Sequence, residues 1–473
     1  HNVNTVYAAF NNHKSGDFTP YVYVSNDKGS TWKNISSNLP TGAVYALEQD
    51  HENENILFAG TEYGVFVSIN NGGSWTALKS GIPTINVRDL AIQERENDLA
   101  VASFGRGFYI LDNYSPLREL ASKATEKDAH IFAIKKSLMF NTWTPLGSLG
   151  SPQKGFQGEM FHTSPNPARG ATIRYWLKEG TTSLKSERQK RDKEAFKSNE
   201  AIPYPTIDAY KAEQNELPSY LVFTIKDQTG DIVSELRTGL SKGMNQVVWD
   251  LTYMSFGQVN QRQASQAQSL SSSNIFVVPG RYTVSMSKNI NGEITEIHEP
   301  VSFEVGELDN RTIPASDWSA MAAFKKKALK LVNAINATQS VLGEMNTKIQ
   351  SYKAASKTYP SSESTSIFKD VLALEEQLNT ARMSMNGDPT LGRLDIDGEY
   401  STAQRAQNAI FDIFGSTSNV PGTSEKNYSI AADEFAPILA SVKRLQKEFE
   451  KMDARFSGNG KLIMPGKLPD WKK

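Results

Sequence analysis

The sequence predicts a multidomain chain made of β-propeller blades that do not complete a ring, then a β-sandwich, then a C-terminal α-helical bundle. Three observations carry this prediction. Short β-rich runs separated by turn residues fill the first 120 positions. One turn motif recurs there, and the 43 residues from Trp32 to Trp75 match the length of a four-stranded propeller blade. Beyond Pro314 the apolar residues switch to alternating steps of three and four, the spacing of one helix face. A length of 473 residues also exceeds what a single core organises, since domains average about 150 residues.

In residues 1–120 the strand candidates are Tyr21–Val24, Ile56–Ala59, Val65–Val67 and Phe108–Leu111. The recurring motif is Ser25, Asp27, Gly29, Thr31 and Trp32, repeated as Ser68, Asn70, Gly72, Ser74 and Trp75. Its chemistry suits a hairpin. The Asp or Asn bonds nearby backbone, the Gly takes positive φ, and the Trp packs back onto the strands.

These segments resemble Asp-box (BNR) repeats, with Asn70 and Ser74 as departures in the second copy. The surrounding Ala59–Val67 and Gly105–Asp112 resemble large bacterial proteins with sortilin-like (VPS10-like) propellers, often labelled glycosyl hydrolases. The resemblance implies an extracytoplasmic bacterial protein, periplasmic, outer-membrane-associated or on the cell surface. It also implies that the ten motif residues build the fold on the rim away from the ligand face. Two or three blades cannot close a ring of typically 4 to 8, so the remaining blades are expected to precede His1.

Residues 121–164 read as connecting strands and linker, with Pro/Gly punctuation at Ser151–Gly155 and Ser164–Gly170. Over 165–305 strands resume at Ala171–Leu177, Tyr220–Ile225, Asn245–Asp250 and Gly280–Met286, and the alternation along Tyr282–Met286 suits a half-buried sandwich. The order Ile225, Asp227, Gly230, then Gly243, Asn245, Trp249, Asp250, then Pro279, Gly280, Tyr282 resembles the FlgD-type immunoglobulin-like module. Two insertions interrupt it: a charged stretch at Glu187–Glu194, read as a solvated helix, and a Gln/Ser-rich stretch at Asn260–Asn274, read as a loop.

Over 306–473 three amphipathic helices are expected, along Leu331–Tyr352, Ile367–Met385 and Phe435–Phe456, with a shorter one near Ala403–Phe414. Ser316 and Asp317 are candidate caps for the first. The three seams can satisfy one another within one chain, which favours an intramolecular bundle over a coiled-coil dimer.

The function classes narrow by exclusion. Fifty-one Lys and Arg against 52 Asp and Glu leave a net charge of −1, so no global field recruits nucleic acid. No apolar run approaches the roughly 20 residues of a transmembrane helix. With no Cys there are no disulfides, thiolate metal sites or cysteine nucleophiles. The six His are scattered without metal-ligand spacing, and no phosphate-cradling loop or nucleophile elbow occurs. Asp395, Asp397 and Gly398 start like a calcium loop, but the terminal Glu at position twelve is missing, Ala406 standing there and Asn408 following. No cofactor is implied.

A glycosidase needs two carboxylates across a cleft, and the candidates are Asp17, Glu62, Asp89 and Asp112. The Arg triad of sialidases is absent, and the catalytic aspartates of xyloglucanases cannot be matched. Glu62 and Tyr63, in the Gly60–Gly64 turn, and Arg106, between Gly105 and Gly107, are the candidate binding residues. The expectation is a noncatalytic binding or scaffold protein for protein or glycan partners in a cell-surface or outer-membrane assembly. The alternative is a glycoside hydrolase whose cleft lies mostly in further N-terminal blades.

Overall fold

The computed structural model describes residues 1–79, 81–122, 124–140, 168–254, 272–308, 313, 315–358, 364–414 and 416–457. The punctuation at Ser151–Gly155, most of that at Ser164–Gly170, and the Gln/Ser-rich insertion up to residue 271 lie outside them.

Ten antiparallel strands form three sheets at the start of the chain. The first holds β1 (Val6–Asn12), β2 (Asp17–Ser25) and β3 (Lys33–Asn34). The second runs in chain order through β4 (Val44–Gln49), β5 (Leu57–Thr61), β6 (Gly64–Ser68) and β7 (Thr76–Leu78). The third holds β8 (Val87–Gln93), β9 (Asp98–Ser103) and β10 (Phe108–Leu111).

The middle sheet is covered on both faces, which is why Ile56–Ala59 is an unbroken apolar run and not an alternating one. Leu57 and Ala59 meet Val22, Val24 and Trp75 in a core shared with the first sheet. Ile56 and Phe58 meet Leu90, Leu99 and Val101 in a core shared with the third. Gly60 lets β8 come close, because a Cβ there would stand 2.8 Å from Val87 Cγ1.

The two motif loops, β2 to β3 and β6 to β7, close with matching hydrogen bonds. Ser25 Oγ accepts from Gly29 N at 2.8 Å and Asp27 Oδ1 from Thr31 N at 2.8 Å. Ser68 Oγ accepts from Gly72 N at 2.8 Å and Asn70 Oδ1 from Ser74 N at 2.8 Å. The tryptophans differ. Trp75 is buried, its Nε1 donating to Ile35 O at 2.8 Å in the first sheet. Trp32 is 45% exposed and folds over its own loop, donating to Gly29 O at 3.0 Å. No neighbouring sheet covers Trp32 among the described residues.

After β10, α1 (Pro116–Ala121) leads to β11 (Ala129–Ile131), β12 (Ser137–Met139) and β13 (Ala171–Leu177). An excursion through α2 (Leu184–Lys197) and α3 (Ile207–Asn215) precedes β14 (Tyr220–Lys226), β15 (Ile232–Thr238), β16 (Gly243–Trp249), β17 (Thr252–Met254), β18 (Ser272–Phe276), β19 (Gly280–Ile290) and β20 (Glu293–Glu307). β11, β13 and β16 make one sheet, and β12, β20, β19, β14 and β15 another, β12 joining β20 in parallel. Ile173, Tyr175 and Trp249 from the first share a core with Phe223, Val284 and Phe303 from the second. Trp249 is its centre, with ring centroids 5.4 Å from Tyr282 and 6.1 Å from Phe303.

The C-terminal region is helical: α4 (Trp318–Thr358), α5 (Ser364–Asn386), α6 (Pro389–Arg393), α7 (Thr402–Phe411) and α8 (Gly422–Ser457). The expected seams are buried against one another, including Ile335, Leu342, Ile349, Val371, Leu378, Val442 and Phe449. Phe324 and Ala328 extend the same core to the sheets. Of the two candidate caps, Asp317 accepts from Ala320 N at 2.8 Å, whereas Ser316 bonds Asn419. The chain is therefore a multidomain protein, β-sheet first and helical at its C-terminal end.

Candidate binding face

Register fixes which turns share an end of the three-sheet stack. The β1–β2 turn (13–16), the β5–β6 turn at Glu62 and Tyr63, and the β9–β10 turn (104–107) all lie at one end, and the two motif loops lie at the other. The segments entering β4 and β8 arrive at the first end too, since Val44 pairs with Thr61 and Val87 with Ser103. Glu62, Tyr63 and Arg106 thus share one face, on turns of adjacent sheets.

Their surroundings separate them. The Glu62 carboxylate accepts from Ala43 N at 3.4 Å while Glu62 N donates to Ala43 O at 3.0 Å, so this side chain ties its turn to the segment entering β4. Tyr63 is 50% exposed and lies over Gly42, where a Cβ would stand 2.8 Å from the ring. Arg106 projects into solvent and makes no ion pair among the described residues. No hydrogen bond among the described residues joins Arg106 to Glu62 or Tyr63.

Beside them is a group that the sequence reading missed. The Arg88 guanidinium on β8 lies 4.0 Å from the Tyr45 ring centroid on β4 and 5.2 Å from that of Phe104. Phe104 is 68% exposed and is held by its N–H to Asn86 O at 2.8 Å. Cation–π contact fixes the guanidinium while leaving ring faces open to solvent. Only the packing of one sheet on the next assembles this group; Tyr45 and Arg88 carry no local motif.

The acidic candidates divide. Asp17 is held by its own strand: the Tyr21 hydroxyl at 2.5 Å and Thr19 N at 3.0 Å bring its carboxyl down to about 2. Asp112 sits away from the face, its carbonyl accepting from Arg174 at 3.0 Å. Asp89 is exposed on β8, and its charge acts on Glu48 of β4, another residue the sequence reading passed over. Burial first, and the Asp89 charge second, push the Glu48 carboxyl upward. Among the described residues no group of three or more His, Asp or Glu can hold a metal ion, and no helix is long and apolar enough to cross a membrane.

No family model matches the sequence, and no curated protein does. Solved structures similar to the chain include the extracellular domain of a one-component system from B. thetaiotaomicron, at 12% identity over 64% of this chain and 30% of that one, with a TM-score of 0.16. A Niastella koreensis GH74 enzyme is similar at 12% identity over 66% and 48%, TM-score 0.21, and an ancestral GH74 enzyme at 11% over 64% and 50%, TM-score 0.20. The chain thus spans half or less of the length of each.

Proposed function

We propose that the chain is a noncatalytic extracytoplasmic binding protein whose first 120 residues are Asp-box blades of a β-propeller, presenting the turn face to a glycan or protein ligand. Residues 121–164 connect those blades to an immunoglobulin-like FlgD-type sandwich at 165–305, and that sandwich and the bundle at 306–473 serve as docking modules in a surface or outer-membrane assembly. One observation carries the reading: Arg88 held between Tyr45 and Phe104, with Tyr63 exposed on the same face. Exposed rings fixed by a cation give flat apolar surface at low entropy cost, with donors beside it, the composition of recognition hot spots.

The test is calorimetric titration of the full chain with a panel of soluble β-glucans, including xyloglucan, in parallel with Phe104→Ala and Tyr63→Ala. Loss of about 1.4 kcal/mol or more, tenfold in affinity, in each variant is the expected result. Ring deletions that leave affinity unchanged move the site elsewhere, and no binding across the panel removes the glycan class.

A hydrolytic reading has a single observation in its favour, the raised Glu48 carboxyl beside Asp89. Release of reducing sugar from the same panel that disappears in Glu48→Gln would establish it over the binding reading.

A further inference from the structure

Between β13 and β14 the chain leaves the sheets as a two-helix arm. Both helices are capped, Ser183 Oγ accepting from Ser186 N and Thr206 Oγ1 from Ala209 N, each at 3.2 Å. They run antiparallel. Leu184 N donates to the Glu216 carboxylate at 2.9 Å, and Arg188 grips Glu213 bidentately at 2.6 and 3.0 Å. Neither helix has a buried residue. The arm is therefore shaped by caps and by the ion pairs of Arg188 with Glu213 and Asp192, with no core of its own.

It nevertheless carries Phe196, Tyr204, Ile207 and Tyr210 at 74%, 99%, 75% and 51% exposure. The antiparallel pairing puts the end of α2 beside the start of α3, so Phe196, Tyr204 and Ile207 gather at the free tip, about 20 Å from the base at 1.5 Å per residue. Apolar surface concentrated where the fold has no use for it marks an interaction site.

Charge indicates what docks there. Over Leu184–Lys197 six Lys and Arg stand against three Asp and Glu, a net charge of +3; over 198–217 one Lys stands against four Asp and Glu, a net charge of −3. Glu213 and Glu216 are engaged within the arm, which leaves Glu200 and Asp208 of the returning segment to face the lysines and arginines of a second α2. A surface with oppositely charged halves is complementary to itself turned by 180°.

We propose that the arm is a self-association surface, on which a second copy of this chain docks arm against arm about a two-fold axis. The apolar tips meet at the centre, and each basic α2 lies along the acidic returning segment of the other copy. The four exposed side chains offer about 600 Å² of surface at 150–250 Å² per buried aromatic, somewhat below the roughly 800 Å² each side gives in a stable interface. An interface of that size with charged halves pairs in the micromolar range and weakens with salt.

Sedimentation velocity of the full chain, from about 1 to about 100 μM at about 0.05 and 0.5 M NaCl, tests this. A dimer at low salt that dissociates at least tenfold more readily at high salt is expected. Tyr204→Ser combined with Ile207→Ser should weaken it at least tenfold while leaving the circular dichroism spectrum unchanged, because neither residue is buried. Lys190→Glu with Lys193→Glu should weaken it similarly. A monomer throughout the range, or a dimer indifferent to the tip substitutions, overturns the proposal.

Discussion

At the scale of single residues the least expected finding is Lys325 on α4, which is 1% exposed. Its Nζ donates to Phe276 O at 2.9 Å and Ser416 O at 3.4 Å, and no carboxylate among the described residues pairs with it. Burial alone brings its ammonium down to about 8. Because the folded value lies below the unfolded 10.5, the unfolded chain binds more protons between pH 8 and 10.5, and stability rises with pH across that window. Below it the buried charge is a standing cost of about 3 kcal/mol at roughly 1.4 per unit. Lys325→Met should therefore raise the urea midpoint at pH 7 by the equivalent of about 2 kcal/mol, with the advantage shrinking by pH 10.5. A variant less stable at pH 7, or a gap that ignores pH, would refute this. The signal was present in the sequence: Met321, Lys325, Ala328, Val332 and Ile335 continue the alternating steps of the seam. In a run of three lysines only that phase distinguishes Lys325 from Lys326, which pairs with Asp227 and Asp231 at 2.8 and 2.7 Å. Lys327 instead lies over the Phe324 and Tyr428 rings.

At the scale of elements, the motif loops were legible because their hydrogen bonds are local: Ser25 to Gly29 and Asp27 to Thr31 span four residues each. The helices were legible for a similar reason, one periodicity repeated over many turns. What the repeat concealed is the unequal packing of its two copies. Gly29 and Gly72 both need the left-handed backbone, at φ +90° and +79°. A Cβ at Gly72 would stand 2.6 Å from Ile35 Cβ, whereas at Gly29 the nearest atom is Trp32 Cζ2 at 3.7 Å. Gly29→Ala should cost about 1 kcal/mol of backbone strain. Gly72→Ala should cost at least about 2 kcal/mol more, since Ile35 belongs to the core between the first two sheets and cannot simply swing away. Equal shifts of the two denaturation midpoints would show that the sheets separate easily there. The binding face was less legible, since Tyr45, Arg88 and Phe104 come from β4, β8 and the β9–β10 turn, and only the packing of the third sheet on the second, with the β8–β9 register, brings them together.

At the scale of the whole molecule, adjacent residues of the short helix α1 tie the three-sheet stack to the β11 strand and its neighbours. Glu119 reaches forward, accepting from Ala133 N at 2.7 Å and lying 2.7 Å from His130 Nε2. Arg118 reaches back across 68 positions to Asp50, which is 0% exposed, with bonds of 2.8 and 2.7 Å. The Tyr114 hydroxyl and Asn53 N donate to the same carboxylate at 2.6 and 2.8 Å. Such a separation leaves no mark in sequence, so the joint was invisible before the fold was known. Burial raises the Asp50 carboxyl, but the bonds from Arg118, Tyr114 and Asn53 outweigh it and hold it below its ordinary 3.8. The stabilisation is thus fully present above about pH 4 and is lost as pH falls through the lowered folded value. Asp50→Asn keeps the shape but leaves Arg118, 15% exposed, with only the more exposed Glu52 carboxylate, 2.7 Å away, as counter-charge, so the cost should fall below the about 3–5 kcal/mol of a buried pair left with none. The expected outcome is an earlier denaturation midpoint at pH 7 and a flatter loss of stability below pH 4 than in the parent. Faster tryptic cleavage after Arg118 should accompany both, because a helix of six residues has little to hold it once the pair is gone. If cleavage accelerates with no loss of global stability, α1 is a local latch and the stack stands independently. If neither changes, the buried pair contributes nothing to the joint, and the contacts of Glu119, the Arg174 bonds to the Asp112 and Asn113 carbonyls and the Lys135–Glu96 pair carry it.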